Sequence, residues 1–191
     1  MASGSSSSGK GGGGTAGAGG TGGSGGAGGG VCGNKRVFVT SEGYLGNFAL
    51  GKPDAWQAAK KLCQDHAQAA GLGGTWEPWL SVGSVGAIDM LTGTGPWFLV
   101  DCVTKVANDK ADLVDGAIAS PISTDETGAS AGAEVWTGTI VSGTPHPYRC
   151  QDWTSSLVSG RRGKAQSADK DWTDSTNGGC NGFRRLYCFE S

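Results

Sequence analysis

Six cysteines constrain this chain more than any other feature: Cys32, Cys63, Cys102, Cys150, Cys180 and Cys188. None stands in a C-x-x-C pair and no histidine lies at finger spacing, so the pattern does not suit a structural metal. It suits disulfides formed in an oxidising compartment. Spacing alone leaves the fifteen possible connectivities open.

All six cysteines, all seven tryptophans and all five phenylalanines lie beyond residue 30. Residues 1–30 hold 16 glycines with Ser, Thr and Ala, and Lys10 is their only charge. Such a stretch has no apolar surface to offset the entropy of ordering. It reads as a flexible tether with an end-to-end distance of roughly 30 Å. Residues 31–191 read as one domain of ordinary size with a real core. The net charge of −2 does not suggest a nucleic-acid binder, which is usually basic. No apolar run approaches the ~20 residues that span a bilayer, and no signal-like apolar core follows Met1. The expectation is a secreted or cell-surface protein, with an export signal or lipid anchor missing from this sequence.

The hydrophobic period changes along the domain. Residues 35–40 are rich in β-formers and read as a strand. Residues 43–47 read as a turn. From Pro53 to Ala70 the apolar and small residues Ala55, Ala59, Leu62, Cys63, His66 and Ala70 recur at helical spacing. Pro53 and Asp54 suit its start and Gly71 its end, and Cys63 falls on the inward face. Residues 75–80 are an extended aromatic stretch, and 84–91 suit a short helix. Residues 96–100 and 103–107 suggest a hairpin, and 108–133 are punctuated like loop. Residues 134–139 read as a core strand, 140–180 as polar and loop-rich, and 183–189 as a final strand. The sum is α+β, with first and last strands as candidate neighbours.

Several phrases carry a family resemblance. Residues 69–76, Val135-Trp136-Thr137-Gly138, Tyr148-Arg149-Cys150-Gln151-Asp152-Trp153 and the closing stretch from Cys180 to Glu190 resemble endostatin, the C-terminal domain of collagens XV and XVIII. Residues 37–41, 111–116 and 186–190 make the chain more closely similar to bacterial endostatin-like domains of unknown function, with leptospiral endostatin-like proteins among the relatives. The resemblance implies a C-type-lectin-like fold: one long helix, a mixed or antiparallel sheet, long loops and nested disulfides. It implies pairing of Cys63 with Cys188 and of Cys150 with Cys180. By loop entropy these bridges contribute about 5 and about 3–4 kcal/mol. Cys32 and Cys102 lie outside the endostatin pattern and are expected to pair with each other, with free or intermolecular thiols as the alternative. Trp136 and Trp153 match core positions of the family.

No catalytic constellation stands out. The only histidines are His66, expected as a partly buried structural residue, and His146 between two prolines. G-x-S-x-G is absent. The sugar-binding Glu-Pro-Asn, Gln-Pro-Asp and Trp-Asn-Asp signatures of C-type lectins are absent too. Asn108, Asp109, Asp112 and Asp115, and likewise Asp169, Asp171 and Asp174, are hard oxygen donors that read as solvated loops rather than a calcium site. Endostatin's N-terminal zinc histidines have no counterpart, so no metal or cofactor is expected. Endostatin binds heparan sulfate through arginines, and guanidinium suits sulfate. Arg161, Arg162 and Lys164, expected in a loop, with Arg184 and Arg185 before the last strand, are therefore the candidate ligand residues. The acidic net charge weakens that reading. The expected function is a non-catalytic, monomeric adhesion or binding module for an extracellular protein or glycan. A structural envelope or matrix component is the alternative, and an enzyme a third possibility.

Overall fold

A computed structural model describes residues 32–191, and the expected tether lies outside them. The architecture is α+β, with two sheets and one long helix. The larger sheet has the order β2-β8-β1-β3-β4, formed by β1 (Lys35–Val39), β2 (Trp76–Pro78), β3 (Trp97–Leu99), β4 (Lys105–Ala107) and β8 (Tyr187–Glu190). The smaller has the order β5-β6-β7, from Glu134–Trp136, Ser159–Lys164 and Thr176–Gly179. The first and last strands run antiparallel side by side, with Phe38 opposite Cys188.

Strand alternation explains why the large sheet is apolar on both faces. Val37 and Val39 face one core with Trp79, Trp97, Tyr187 and Phe189. Phe38 faces the other, with Ala59, Cys63, Trp76 and Cys188. That second core lies under helix α1 (Ala55–Ala69). Asp54 caps α1 by accepting the N–H groups of Trp56 at 2.8 Å and Gln57 at 3.2 Å. Gly71, at φ +71°, lets the chain turn out of the helix, a left-handed conformation that glycine adopts without steric cost. The buried stripe of α1 is small, made of Ala55, Ala59, Cys63 and Ala67 beside Trp56, so the helix sits close to the sheet.

Three disulfides join Cys63 to Cys188, Cys150 to Cys180 and Cys32 to Cys102, with Cα–Cα distances of 5.4, 5.7 and 5.6 Å. The first ties the middle of α1 to β8.

Several segments differ from their sequence reading. The stretch 140–180 contains β6 and β7 instead of loop alone. The final strand begins at Tyr187, because Arg184 and Arg185 leave the ladder to bridge Tyr44 and Val135. The 134–139 strand stops at Trp136, before Gly138 turns the chain at φ +57°. The short helix over 84–91 narrows to α2 (Ala87–Met90). All seven tryptophans are buried, so none is an open stacking platform.

Residues 150–153 form a left-handed turn of four non-glycine residues, with φ values of 53°, 52°, 51° and 65°. Each such residue costs about 1–2 kcal/mol. Surrounding contacts hold the turn in place. Cys150 is bridged to Cys180, Trp153 Nε1 donates to the Ser81 carbonyl at 2.9 Å, and Phe48 stacks on the Trp153 ring at 5.4 Å.

Candidate functional site

His66 lies near the end of α1 with its side chain 11% exposed, and both ring nitrogens are engaged. Nε2 is 2.6 Å from the Tyr44 hydroxyl, and Nδ1 is 2.7 Å from Glu126 Oε1. Glu126 Oε2 accepts the Ser41 backbone N–H at 2.9 Å, and Oε1, the oxygen facing His66, also accepts the Ser41 hydroxyl. Two separate pieces of chain, the 41–44 segment and the loop of Glu126, therefore meet on one helical histidine.

Local turns fix these partners. Asp125 Oδ1 accepts the N–H groups of Thr127 and Ala129 and the Thr127 hydroxyl, which winds the chain tightly around Glu126. Val39 N–H donates to the Thr124 carbonyl, anchoring that loop to the end of β1. Tyr44 exchanges two backbone hydrogen bonds with Arg184.

These residues line a cleft of about 420 Å³ that includes Glu42, Asp65 and Leu62. Tyr44, Leu62 and Asp65 also line a second cleft of about 590 Å³, whose other walls are Phe48, Pro53 and Ala58, with Lys52 and Lys61 alongside. Together the two clefts make a trough along the outer flank of α1, polar at the His66 end and apolar at the Phe48 end.

The field in the polar end is negative. Burial, reinforced by Glu42, Glu126 and Asp65, pushes the Tyr44 phenol up to about 12. The hydrogen bond to Glu126 raises His66 above its ordinary value; burial opposes this, and the charges of Glu126, Glu42 and Asp65 add to it. Burial alone would raise Glu126, but bonds from His66 and Ser41 outweigh it and hold the carboxylate down to about 2. The pair is accordingly imidazolium and carboxylate at mildly acidic pH.

That assignment fixes a pH window for stability. The Glu126 contribution is complete above the ordinary carboxylate value and fades as pH falls towards 2. The His66 contribution is complete below the ordinary histidine value and fades as pH rises through its elevated folded value. Stability from this pair peaks between about pH 4.5 and about pH 6.5. Urea midpoints measured across pH should show that maximum in the wild type and a flatter profile in His66→Gln.

The chemistry available is limited. While protonated at both nitrogens, at mildly acidic pH, His66 has no lone pair with which to act as a general base. Ser41 is bonded to Glu126 and not to His66, so no serine–histidine nucleophile forms.

The basic residues named from sequence are distributed differently. Arg161, Arg162 and Lys164 lie on strand β6 and not in a loop. Glycines at 160 and 163, which lack β-propensity, hid this strand. They are required because a side chain at either position would collide with Trp136 or with the Trp172 carbonyl. Consecutive strand residues face opposite ways, which separates Arg161 from Arg162. Arg161 pairs with Asp174, Lys164 with Asp171, and Arg162 and Arg184 share Glu134. Arg184 also lies over the Trp136 ring at 5.0 Å. Arg185 bonds through its backbone to Glu134 and Trp136, and its Nη1 is buried with no hydrogen-bond partner among the described residues. The structure brings Arg162 and Arg184 together around a carboxylate, and the five residues do not form one open cationic surface.

The acidic loops are engaged locally. Asp109 and Asp115 accept nearby backbone N–H groups, Asp112 accepts from Asn108, and Asp169 caps residue 171. Among the described residues no cluster of His, Cys, Asp and Glu has metal-holding geometry.

Sequence reasoning placed His66 as a structural histidine but missed Tyr44, Ser41 and Glu126. They lie 22, 25 and 60 residues away in turns, where no periodicity points to them. Compared with protein-family models and with curated proteins, the chain matches none.

Proposed function

We propose that this chain is a non-catalytic extracellular or cell-surface binding module of the endostatin-like, C-type-lectin-like type. Its binding surface is the trough along α1, and its ligand is a protein segment carrying apolar side chains. The observation that carries this reading is the cleft of about 590 Å³ walled by Phe48, Pro53, Ala58 and Leu62. Its polar neighbours are largely committed elsewhere: Asp54 caps the helix, and Asp65 pairs with Lys61. Such a surface rewards burial of apolar groups. It offers little to the hydroxyls of a sugar, which lose water on binding and need partners. Three disulfides fit an extracellular setting. No helix among the described residues is long and apolar enough to cross a membrane.

The test is a random peptide library panned on the wild type and on Leu62→Glu and Ala58→Glu, with a glycan array run in parallel. Folding of both variants is checked by circular dichroism. Peptides rich in Leu, Ile, Val or Phe should be enriched on the wild type and bind folded variants at least about tenfold more weakly, the cost of placing a charge against an apolar group. Failure to enrich peptides, or glycan binding that ignores both substitutions, overturns the reading.

A further inference from the structure

The inference rests on the trough as a peptide site and concerns the Tyr44 hydroxyl, which His66 alone engages among the described residues. We propose that the His66–Glu126 pair sets the hydrogen-bonding sense of that hydroxyl, so that charged His66 makes Tyr44 a donor for a peptide carbonyl and neutral His66 withdraws it.

Charged His66 carries a proton on each nitrogen. Nδ1–H donates to Glu126, and Nε2–H donates to the Tyr44 oxygen. The tyrosine's own proton is then unspent, and Tyr44 lines both clefts. When His66 loses a proton, Glu126 decides which one. An unprotonated Nδ1 would set a lone pair against a carboxylate oxygen 2.7 Å away, so Nδ1 keeps its proton and Nε2 gives its up. The 2.6 Å contact to Tyr44 survives only if the tyrosine now donates to Nε2. Tyr44 then shows the trough lone pairs only. The backbone need not move: the Nε2 proton leaves to solvent, the phenol proton turns from the trough to Nε2, and the site's polarity reverses.

The charged groups facing His66 favour an uncharged acceptor. Glu126 reaches it from the 121–131 loop, Glu42 from the segment after β1, and Asp65 from α1 itself; Tyr44 is the remaining titratable contact. A ligand carboxylate would meet these like charges, whereas an amide carbonyl would not. A main-chain carbonyl beside an apolar side chain matches both ends of the trough.

The experiment uses the full chain with ¹⁵N-labelled histidine, and N-acetyl-leucine N-methylamide as probe. Ring nitrogens and probe affinity are followed by NMR from about pH 5 to about pH 10, which spans the ordinary His and Tyr values. Below its transition His66 should show two protonated nitrogens, and above it only Nδ1–H. Probe affinity should fall about twofold to tenfold across the same transition, the worth of one hydrogen bond. In Tyr44→Phe it should sit at the weaker level at every pH. Loss of the Nδ1 proton first, or an affinity independent of pH in the wild type, overturns the proposal and leaves the trough intact. Absence of probe binding at every pH overturns the trough and the proposal together.

Discussion

Replacing Cys63 and Cys188 together by alanine should lower the unfolding free energy by about 5 kcal/mol. The bridge spans a sequence separation of 125, the longest of the three loops, and loop entropy grows with that span. The expected loss approaches the whole stability of a typical domain, about 5–15 kcal/mol. Apart from the buried Trp56, the helix has little else of comparable size to hold it. Its buried stripe is mostly alanine, and each alanine methyl contributes only about 0.8 kcal/mol. Denaturant titration under non-reducing conditions should show a collapsed midpoint or an unfolded chain. The matching Cys150–Cys180 double variant, with a separation of 30, should lose about 4 kcal/mol. Equal losses for the two would contradict the loop-entropy account.

Gly163→Ala should cost about 3 kcal/mol or more, the upper range of overpacking. A methyl there would lie 1.9 Å from the Trp172 carbonyl oxygen and 2.6 Å from its carbon, both backbone atoms with no rotamer to escape into. That same carbonyl accepts the buried Tyr187 hydroxyl at 3.0 Å, and Trp172 packs on Trp79. Moving it disturbs the core between the two sheets. Gly73→Ala is the control, since nothing lies within 4 Å of the added methyl, and its effect should stay within about 0.5 kcal/mol. Thermal and urea unfolding of the two variants measure the contrast.

What was legible in the sequence followed from period and punctuation. Helix α1 was readable because small residues recur at its spacing between Asp54 and Gly71. Strand β1 was readable because Val37, Phe38 and Val39 are β-formers whichever face they line. Strand β6 was not, because Ser-Gly-Arg-Arg-Gly-Lys carries no β-branched or aromatic residue. Tertiary packing overrides local propensity there: Gly160 and Gly163 are the residues that allow Trp136 and Trp172 to close on the strand. The candidate site was the least legible part. His66 could be placed on a helix, but Glu126 is a loop carboxylate of ordinary appearance. Only the fold reveals that it is 6% exposed and bonded to a histidine 60 residues away. Arg161, Arg162 and Lys164 read as loop residues, yet they lie on β6, where strand alternation sends neighbours opposite ways and carboxylates pair with each of them.

The function assigned to the trough depends on a fixed helix wall, because α1 carries Ala58, Leu62 and His66, while Tyr44 and Phe48 stand on the facing segment. Peptide mapping of the non-reduced protein tests that wall most directly. Three linked pairs should be recovered: Cys63 with Cys188, Cys150 with Cys180 and Cys32 with Cys102. Recovery of Cys63 or Cys188 as a free thiol, or linked to any other cysteine, would detach the helix from the last strand and contradict the account.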